Sequence, residues 1–397
     1  FRRVLFRSAD RLSLTADKVL NNQGGLIKGQ GQVDATLGHL SNTAGEVSSQ
    51  GNATLILGSL DNSSGTLMAQ MGLDLSASAA INNLGGLVSG WQGLTITGTH
   101  LDNSNGGTLS SRSGDVGIHL SDALVNHTAG AVVSQKVLTI TASSLDNSAK
   151  GNISSTTDQT ITVSGLLDNS AEGLLSSGAA MTLNAMALNN VDGTVNASGD
   201  LAFNGTELNN SQGTFTGQQA ITLDLLGALI NNQGRMSSAG PLLIERSTRV
   251  DNQGGELSSQ RWLTLFTGEL DNSAKGTLAA SDKLLITASG IVGMASLWVN
   301  QRRKQIGVRR AIGARQRDIL RYFLVENFMV TSFGIAIGLG LALALNQWLV
   351  SELEVPRLPL AILPAGVVAL WALGLLAALG PAWRAARIPP AEATRSV

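Results

Sequence analysis

The stretch LDNSAKGNISSTTDQTITVSGLLDNSAEG, residues 145–173, begins and ends on nearly the same phrase. The second polar residue of this phrase is Asn147 in the first copy and Asn169 in the second, so the phrase returns after 22 residues. Between the copies, TITV (residues 160–163) alternates polar and apolar side chains. A period of two is typical of a strand with one buried face. The stretch therefore predicts short strands joined by turns that contain Asn and Gly.

The phrase occurs thirteen times from residue 20 onward. All intervals between equivalent Asn residues are 20 to 23 residues, and a fixed period of this length is the signature of a solenoid. A single coil cannot bury its apolar face, whereas stacked coils form one continuous core of Leu, Ile and Val. The predicted repeat residues are Asn22, Asn42, Asn62, Asn83, Asn103, Asn126, Asn147, Asn169, Asn190, Asn210, Asn232, Asn252 and Asn272.

The polar residues of the phrase have two expected roles. Stacking brings each Asn close to its equivalent in the next coil, where its amide can both donate and accept a hydrogen bond. The Asn and the Gly three or four residues later are expected at positive φ, which a tight corner between strands requires. Twelve of the thirteen copies keep this Gly spacing, and Gly234 is the exception. The Leu or Ile ahead of the Asn is expected to point inward.

These L-D/N-N-x-x-G-x-L units resemble the repeats of filamentous-haemagglutinin-like adhesins and contact-dependent inhibition exoproteins, over about residues 9–289. The resemblance implies an all-β, right-handed parallel β-helix of about 13 coils. It also implies a shaft that is secreted through an outer-membrane partner in a bacterium with two membranes. Such a shaft spaces and displays other domains, and it adheres to a host or neighbouring-cell surface.

Other function classes find little support in the repeats. The chain has no Cys, which excludes thiolate metal sites and cysteine nucleophiles. The four His lie at unrelated repeat phases, and GGLIKGQGQVD (residues 24–34) only loosely matches a calcium-binding nonapeptide. The Asp of the LDN phrase alternates with Asn or Ser, which favours a role in the turn. We expect no enzyme, metal, cofactor or nucleic-acid partner; a β-helix polysaccharide-active enzyme is the disfavoured alternative.

The composition changes at about residue 290. Residues 10–289 contain 12 Lys and Arg against 23 Asp and Glu, whereas residues 290–397 contain 12 against 5. Two uncharged stretches, 328–350 and 358–383, are long enough to span a bilayer as helices. Basic residues flank both stretches and the loop SELEVPR lies between them, so the positive-inside rule predicts a multi-pass inner-membrane segment with cytoplasmic flanks in contact with lipid.

The segment 301–323 and the residues that follow it, QRRKQIGVRRAIGARQRDILRYFLVEN, resemble the cytoplasmic segment of MacB-like and FtsX-like ABC transporter permeases. The resemblance implies a coupling helix against a separate ATP-binding subunit, a permease dimer partner and ATP-driven export. No P-loop occurs in the chain. The residues assigned to coupling are Arg302, Arg303, Gln305, Ile306, Gly307, Arg309, Arg310, Ala311 and Gly313.

Two segments, residues 1–8 and residues 284–299, raise the question of whether the chain derives from a single coding sequence. Residues 1–8, FRRVLFRS, resemble a translated sequencing-adapter tail, and we exclude them from fold prediction. The helix ahead of the coupling segment is reduced to a stub over 284–299, too short to cross a bilayer comfortably. We therefore favour an artefactual join of two coding fragments near residues 289–291. A genuine membrane-anchored fusion, with the β-helix in place of a permease periplasmic domain, is the alternative.

Overall fold

The computed structural model describes residues 5–8 and 10–288, and then residues 321, 325, 328–329, 331–340, 343, 364, 366–368 and 370–372. The chain divides into two compact units. One comprises Phe1–Leu265 and Glu269–Ile286, and the other comprises Phe266–Gly268 and Thr287–Val397.

The described residues between 5 and 288 form short strands joined by turns. In chain order they are β1 (Leu5–Ser8), β2 (Arg11–Asn21), β3 (Leu26–Gly29), β4 (Gln32–Ser41), β5 (Glu46–Ser49), β6 (Ala53–Asp61), β7 (Thr66–Ala69), β8 (Gly72–Ala77), β9 (Ile81–Asn82), β10 (Leu87–Gly90), β11 (Gly93–Gly98), β12 (Leu101–Asp102), β13 (Thr108–Ser111), β14 (Asp115–Leu120), β15 (Ala123–Val125), β16 (Ala131–Ser134), β17 (Leu138–Ala142), β18 (Ser144–Asp146), β19 (Asn152–Ser155), β20 (Gln159–Val163), β21 (Leu166–Asp168), β22 (Leu174–Ser177), β23 (Met181–Asn184), β24 (Ala187–Asn189), β25 (Thr194–Ala197), β26 (Leu201–Gly205), β27 (Glu207–Asn209), β28 (Thr214–Gly217), β29 (Ile221–Leu225), β30 (Ala228–Ile230), β31 (Arg235–Ser238), β32 (Leu242–Arg246), β33 (Arg249–Asp251), β34 (Glu256–Ser259), β35 (Trp262–Thr267), β36 (Glu269–Asp271), β37 (Thr277–Ala280) and β38 (Lys283–Ala288).

These strands form a parallel β-solenoid of about 13 turns, which confirms the β-helix prediction. A typical coil contains three strands, such as β16, β17 and β18, and each pairs in parallel with its equivalent in the next coil. The first strands of the coils build a 14-stranded sheet, and the second and third strands build a 24-stranded sheet. In β2, β4 and β6 the second and third strands run together as one longer strand.

The core lies inside the coils because side chains alternate in direction along every strand. In the 14-stranded sheet, Val132, Ile153, Leu175, Val195 and Phe215 are aligned from coil to coil, and all are fully buried. The Leu or Ile that precedes the repeat Asn is buried in the same way, as in Leu145 and Leu167, where the sequence predicts it. Burying such a side chain contributes roughly 1.5 to 3 kcal/mol.

Two predicted boundaries differ from the structure. Residues 5–8, which we excluded from fold prediction, form β1 and pair in parallel with β3. Residues 284–288, which belong both to the predicted repeats (9–289) and to the predicted stub helix (284–299), are part of strand β38, which pairs with β35. The physical reason is the same in both places: a sheet edge offers backbone donors and acceptors to any extended segment, regardless of its side chains.

One coil departs from the regular register. Between β29 and β32 the pairing shifts after Leu223, so that Asp224 lies opposite Arg246 and not opposite Glu245. Arg246 Nε donates to Asp224 Oδ1, and both side chains are about 10% exposed. Without the shift, the carboxylates of Asp224 and Glu245 would lie opposite each other, and like charges directly opposite each other are destabilising. The shift instead forms an ion pair between Asp224 and Arg246.

Candidate functional site

A ladder of Asn side chains runs through the solenoid at one corner of every coil. In each step the side-chain Nδ2 of one Asn donates to Oδ1 of the next at 2.7 Å. Nearly all of these side chains are buried. The members are Asn22, Asn42, Asn62, Asn83, Asn103, Asn126, Asn147, Asn169, Asn190, Asn210, Asn231, Asn252 and Asn272.

The prediction was wrong at one position. In the eleventh copy the ladder residue is Asn231, which accepts from Asn210 and donates to Asn252, and not Asn232. The register explains the error, because Leu229 takes the place of the buried Leu and Ile230 the place of the usual Asp or Asn. Gly234 then follows its Asn after three residues, so the exception to the Gly spacing disappears. That regular spacing was the sequence signal for the correct frame.

Each ladder amide also holds its corner together. Asn147 Nδ2 donates to Asn169 Oδ1 at 2.7 Å, to the carbonyl oxygen of Gly151 at 3.1 Å and to that of Leu174 at 3.1 Å. Its two hydrogens are therefore shared among three acceptors in two coils. Buried polar groups are costly when they are unpaired. The register between neighbouring coils therefore depends on the presence of Asn at this position.

The Gly that closes each corner is required for space. This closing Gly does not have positive φ at any described ladder corner, contrary to the prediction; after Asn103 the Gly with positive φ is Gly106, and Gly107 closes the corner. A Cβ built on Gly151 would lie 2.5 Å from the carbonyl oxygen of Asn126 and 2.6 Å from Oδ1 of Asn147. The equivalent Gly residues meet the same two groups in almost every coil. Only a residue without a side chain fits between the ladder and the previous coil.

Positive φ belongs to the residues just before that Gly, and the ladder Asn residues do not adopt it either. Corners with a three-residue spacing have one such residue, as at Ala44, and corners with a four-residue spacing have two. The non-Gly examples are Ala44, Ser64, Asn105, Thr128, Ala129, Ala149, Lys150, Ala171, Glu172, Asp192, Gln212, Gln233, Ala274 and Lys275.

Ala44→Gly is expected to raise the free energy of unfolding by about 0.5 to 1 kcal/mol, because the left-handed conformation costs an L-residue more than the added chain entropy of Gly. Ala44 has φ of 50° and is exposed, and Gly24 fills the same place in the preceding corner. Chemical unfolding followed by circular dichroism measures the change. Ala202→Gly, at an outward strand position, is the control and should lower stability; a loss for Ala44→Gly would contradict the assignment.

The Asp of the phrase caps its own turn. Asp61 Oδ1 accepts from the backbone N and the hydroxyl of Ser63 at 3.0 and 2.6 Å, and Asp61 Oδ2 accepts from the Thr43 hydroxyl at 3.1 Å. Burial by itself would raise the pKa of Asp61, but these hydrogen bonds and the nearby His39 together lower it. Ser273 likewise lowers the pKa of Asp271 through backbone and side-chain hydrogen bonds. The predicted role in turns is confirmed at these positions.

The lowered pKa of Asp61 predicts a pH-dependent contribution to stability. The contribution is present above the unfolded-state value of 3.8 and is lost as pH falls through the lower folded-state value. Asp61→Asn should match the native protein near neutral pH, since Asn209 makes the same bonds to Ser211, and should lose less stability at about pH 3. Unfolding midpoints at both pH values test this. Equal losses in the two proteins would rule out a contribution from the carboxylate.

The described residues contain no group of three or more His, Asp or Glu side chains placed to hold a metal ion. Each partnered histidine contacts a single side chain: His39 Nδ1 lies 2.7 Å from the Ser59 hydroxyl in the next coil, and His127 Nδ1 lies 2.7 Å from that of Thr128. His100 Nδ1 lies 3.9 Å from Asp122 Oδ2. The repeats thus bring together amides, hydroxyls and turn carboxylates, which suit a rigid support.

The residues assigned to coupling, 302–313, lie outside the described part of the chain, as do most residues of the two predicted spans. Residues 331–340 are helical. Trp371 contacts the first predicted span, since its ring centroid lies 5.3 Å from that of Phe328 and its Nε1 donates to the Ser332 hydroxyl at 3.0 Å. Within the described residues, no helix has both the length and the apolar character needed to cross a membrane.

Comparisons with known families match both parts of the chain. The family described as haemagglutinin repeat matches residues 7–84, 58–127, 113–171, 168–237 and 216–293. The family described as FtsX-like permease C-terminal matches residues 283–390. The two matches therefore overlap over residues 283–293. No solved structure matches the chain.

Curated relatives are ATP-binding/permease proteins. The pyoverdine export protein PvdT of Pseudomonas fluorescens Pf-5 is 36% identical over 142 residues, which cover 36% of this chain and 20% of the relative. The macrolide export protein MacB of Nitrosomonas europaea is 33% identical over 156 residues, which cover 39% of this chain and 23% of the relative. The chain thus spans about a fifth of the length of the curated relatives it matches. Each match is longer than residues 291–397, so the similarity also reaches earlier residues.

Proposed function

Because the chain belongs to the haemagglutinin repeat family over residues 7–293, we propose that its solenoid is a structural shaft that spaces and displays other segments at a bacterial cell surface. The observation that carries this proposal is the Asn ladder, which continues without interruption from Asn22 to Asn272. A support of this kind needs rigidity along its axis, and a buried hydrogen-bonded ladder supplies it. In the proposal the shaft has no enzymatic activity, metal or cofactor.

The wider role of the repeats rests on their family. We propose that the parent shaft is exported through an outer-membrane secretion partner and contacts a host or neighbouring cell. We also propose that the solenoid is right-handed and that its length is on the order of 60 Å for about 13 coils. Electron microscopy of the full chain in detergent should show rods of this length. Compact particles without a long axis would contradict the shaft.

For the C-terminal segment we propose an inner-membrane permease fragment that works with a separate ATP-binding subunit and a second permease copy. The match to FtsX-like permeases and the similarity to PvdT and MacB support this role. In the proposal residues 328–350 and 358–383 span the membrane as a helical pair, and the contact of Trp371 with Phe328 and Ser332 is part of its packing.

The membrane assignment can be tested by fractionating cells that express the full chain. The chain should sediment with the inner membrane and dissolve only in detergent, since the C-terminal segment carries the two long uncharged stretches. Protease added outside the inner membrane should digest the repeats while it spares the segment around Arg310. Detergent-free soluble rods would contradict the membrane assignment but would leave the shaft intact.

We further propose that the two parts were joined from separate coding sequences near residues 289–291. The change from 12 basic against 23 acidic residues over residues 10–289 to 12 against 5 over residues 290–397 supports this interpretation, and the two family matches meet at residues 283–293. Amplification across codons 285–295 from the source DNA distinguishes the two. A clean single product of the expected length would establish the fusion and reject the join.

A further inference from the structure

One corner of the solenoid carries a column of long, exposed side chains. Each residue of this column directly follows the last residue of a strand in the 14-stranded sheet. The parallel pairing of β3, β5, β7, β10, β13 and β16 aligns these strand ends from coil to coil. All of the column residues are exposed, and four of the six are Gln. We call them the amide column: Gln30, Gln50, Gln70, Trp91, Arg112 and Gln135.

The Gln side chains of the amide column have no partner of their own. Among the described residues none of them makes a hydrogen bond through its amide, although neighbouring coils are only about 4.8 Å apart. At a different corner, by contrast, Gln212 Nε2 donates to Gln233 Oε1 at 3.3 Å. The amide column therefore presents a row of donors and acceptors to its surroundings.

Trp91 and Arg112 lie in the middle of the amide column. Trp91 is 49% exposed, which is uncommon for so large an apolar side chain. Its backbone is fixed on both sides, because its N donates to the carbonyl oxygen of Ala69 at 2.9 Å and its own carbonyl oxygen accepts from Ser113 N at 2.7 Å. The Arg112 guanidinium lies 5.6 Å from the centroid of the Trp91 ring. Trp91 is thus a preordered aromatic surface beside a group of N–H donors.

The amide column ends within the described part of the solenoid. Beyond Gln135 most of the aligned residues are short, and the two later Gln residues have no long neighbour at this corner. In chain order the aligned residues are Thr156, Gly178, Ser198, Gln218, Ala239, Gln260 and Ser281. An uninterrupted row of long polar and aromatic side chains is therefore specific to the coils between β3 and β16.

We propose that the amide column binds a chain of neutral sugars, which names a ligand for the proposed contact with another cell and rests on that proposed function. A pyranose ring has an apolar C–H face that stacks on an aromatic ring, and a rim of hydroxyl groups that both donate and accept hydrogen bonds. Gln amides have the same dual capacity. The column extends over about 24 Å, and successive sugars of an extended glycan advance by nearly the same distance as successive coils.

Charge selects against other elongated polymers. Arg112 is the only Lys or Arg between Lys28 and Lys136, whereas the same stretch contains seven Asp and Glu residues. A nucleic acid or an acidic polysaccharide needs several cations to offset its charge, and the surrounding carboxylates repel it. The amide column itself contains no carboxylate, so it lacks the pair of acidic groups that a typical glycosidase uses. This chemistry fits binding of a neutral glycan without cleavage.

The test uses the full chain in a detergent without a sugar headgroup, so that the detergent does not compete for the site. Isothermal titration calorimetry measures the binding of cellohexaose, maltohexaose and chitohexaose, with hexagalacturonate as the acidic counterpart. At least one of the neutral hexasaccharides should bind, and it should bind more tightly than hexagalacturonate. Trp91→Ala should weaken that binding roughly tenfold or more, and Gln70→Ala should weaken it to a smaller extent.

Trp262→Ala is the matched control, since Trp262 is 55% exposed but lies outside the amide column. Its affinity should equal that of the native chain. Equal losses for Trp91→Ala and Trp262→Ala, tighter binding of hexagalacturonate, or no binding of any neutral hexasaccharide would overturn the proposal. Electron microscopy of the same samples separates two kinds of failure: rods that bind no glycan reject this ligand alone, whereas compact particles reject the shaft together with the column that it supports.

Discussion

Gly151→Ala is expected to lower the free energy of unfolding by about 3 kcal/mol or more, among the largest effects of any single substitution in the solenoid. The added Cβ would lie 2.5 Å from the carbonyl oxygen of Asn126 and 2.6 Å from both the carbonyl oxygen and Oδ1 of Asn147. None of these atoms is the flexible end of a long side chain, so relief requires moving the corner or breaking the ladder. Chemical unfolding followed by circular dichroism measures the loss.

Gly93→Ala is the matched control. Gly93 also lies in the solenoid, but a Cβ there meets only the carbonyl oxygen of Asp115 at 3.8 Å, and its φ is not positive. This substitution should leave stability unchanged or raise it by up to about 1 kcal/mol, because Ala restricts the unfolded chain. Similar losses for Gly151→Ala and Gly93→Ala would show that the corner Gly is not selected by crowding.

Asn231→Ala is expected to cost about 2 to 4 kcal/mol, because it leaves buried groups in two neighbouring coils without partners. Asn210 Nδ2 loses its acceptor at 2.7 Å, and Asn252 Oδ1 loses its donor at the same distance. The carbonyl oxygens of Gly234 and Glu256 also lose a donor. Hydrogen exchange of the adjoining coils should accelerate together with the loss of stability.

Asn232→Ala, at the next residue, also tests the assignment of Asn231 to the ladder. Asn232 is only half-buried, and its Oδ1 accepts a single hydrogen bond, from the backbone N of Gln253 at 3.0 Å. Its removal should cost about 1 kcal/mol or less. If Asn232→Ala were the more damaging substitution, Asn232 and not Asn231 would be the ladder residue, as the sequence first suggested.

Much of the solenoid follows from the sequence because its signals are local and repeated. The 20 to 23 residue interval identifies stacked coils, and the alternation around residues 160–163 identifies strands and their buried side. The Asp of the phrase was also correctly assigned to turns, since hydrogen bonding to a backbone N two residues later is a property of the residue type. Thirteen copies reinforce the period and the strand pattern, and six of them carry the Asp.

The errors occurred where the answer depends on a neighbouring coil. INNQG (residues 230–234) offers two Asn residues, and the pairing of Leu208 with Leu229 in the neighbouring coil places Asn231 in the ladder. Likewise, no property of one corner shows whether its Gly provides positive φ or space.

The sequence by itself determined the period, the strands and the inward side chains, because these depend on residues near one another in the chain. The tertiary structure decided the frame at Asn231, the crowding at Gly151 and the pairing of Asp224 with Arg246, because each depends on contacts between residues about one coil apart.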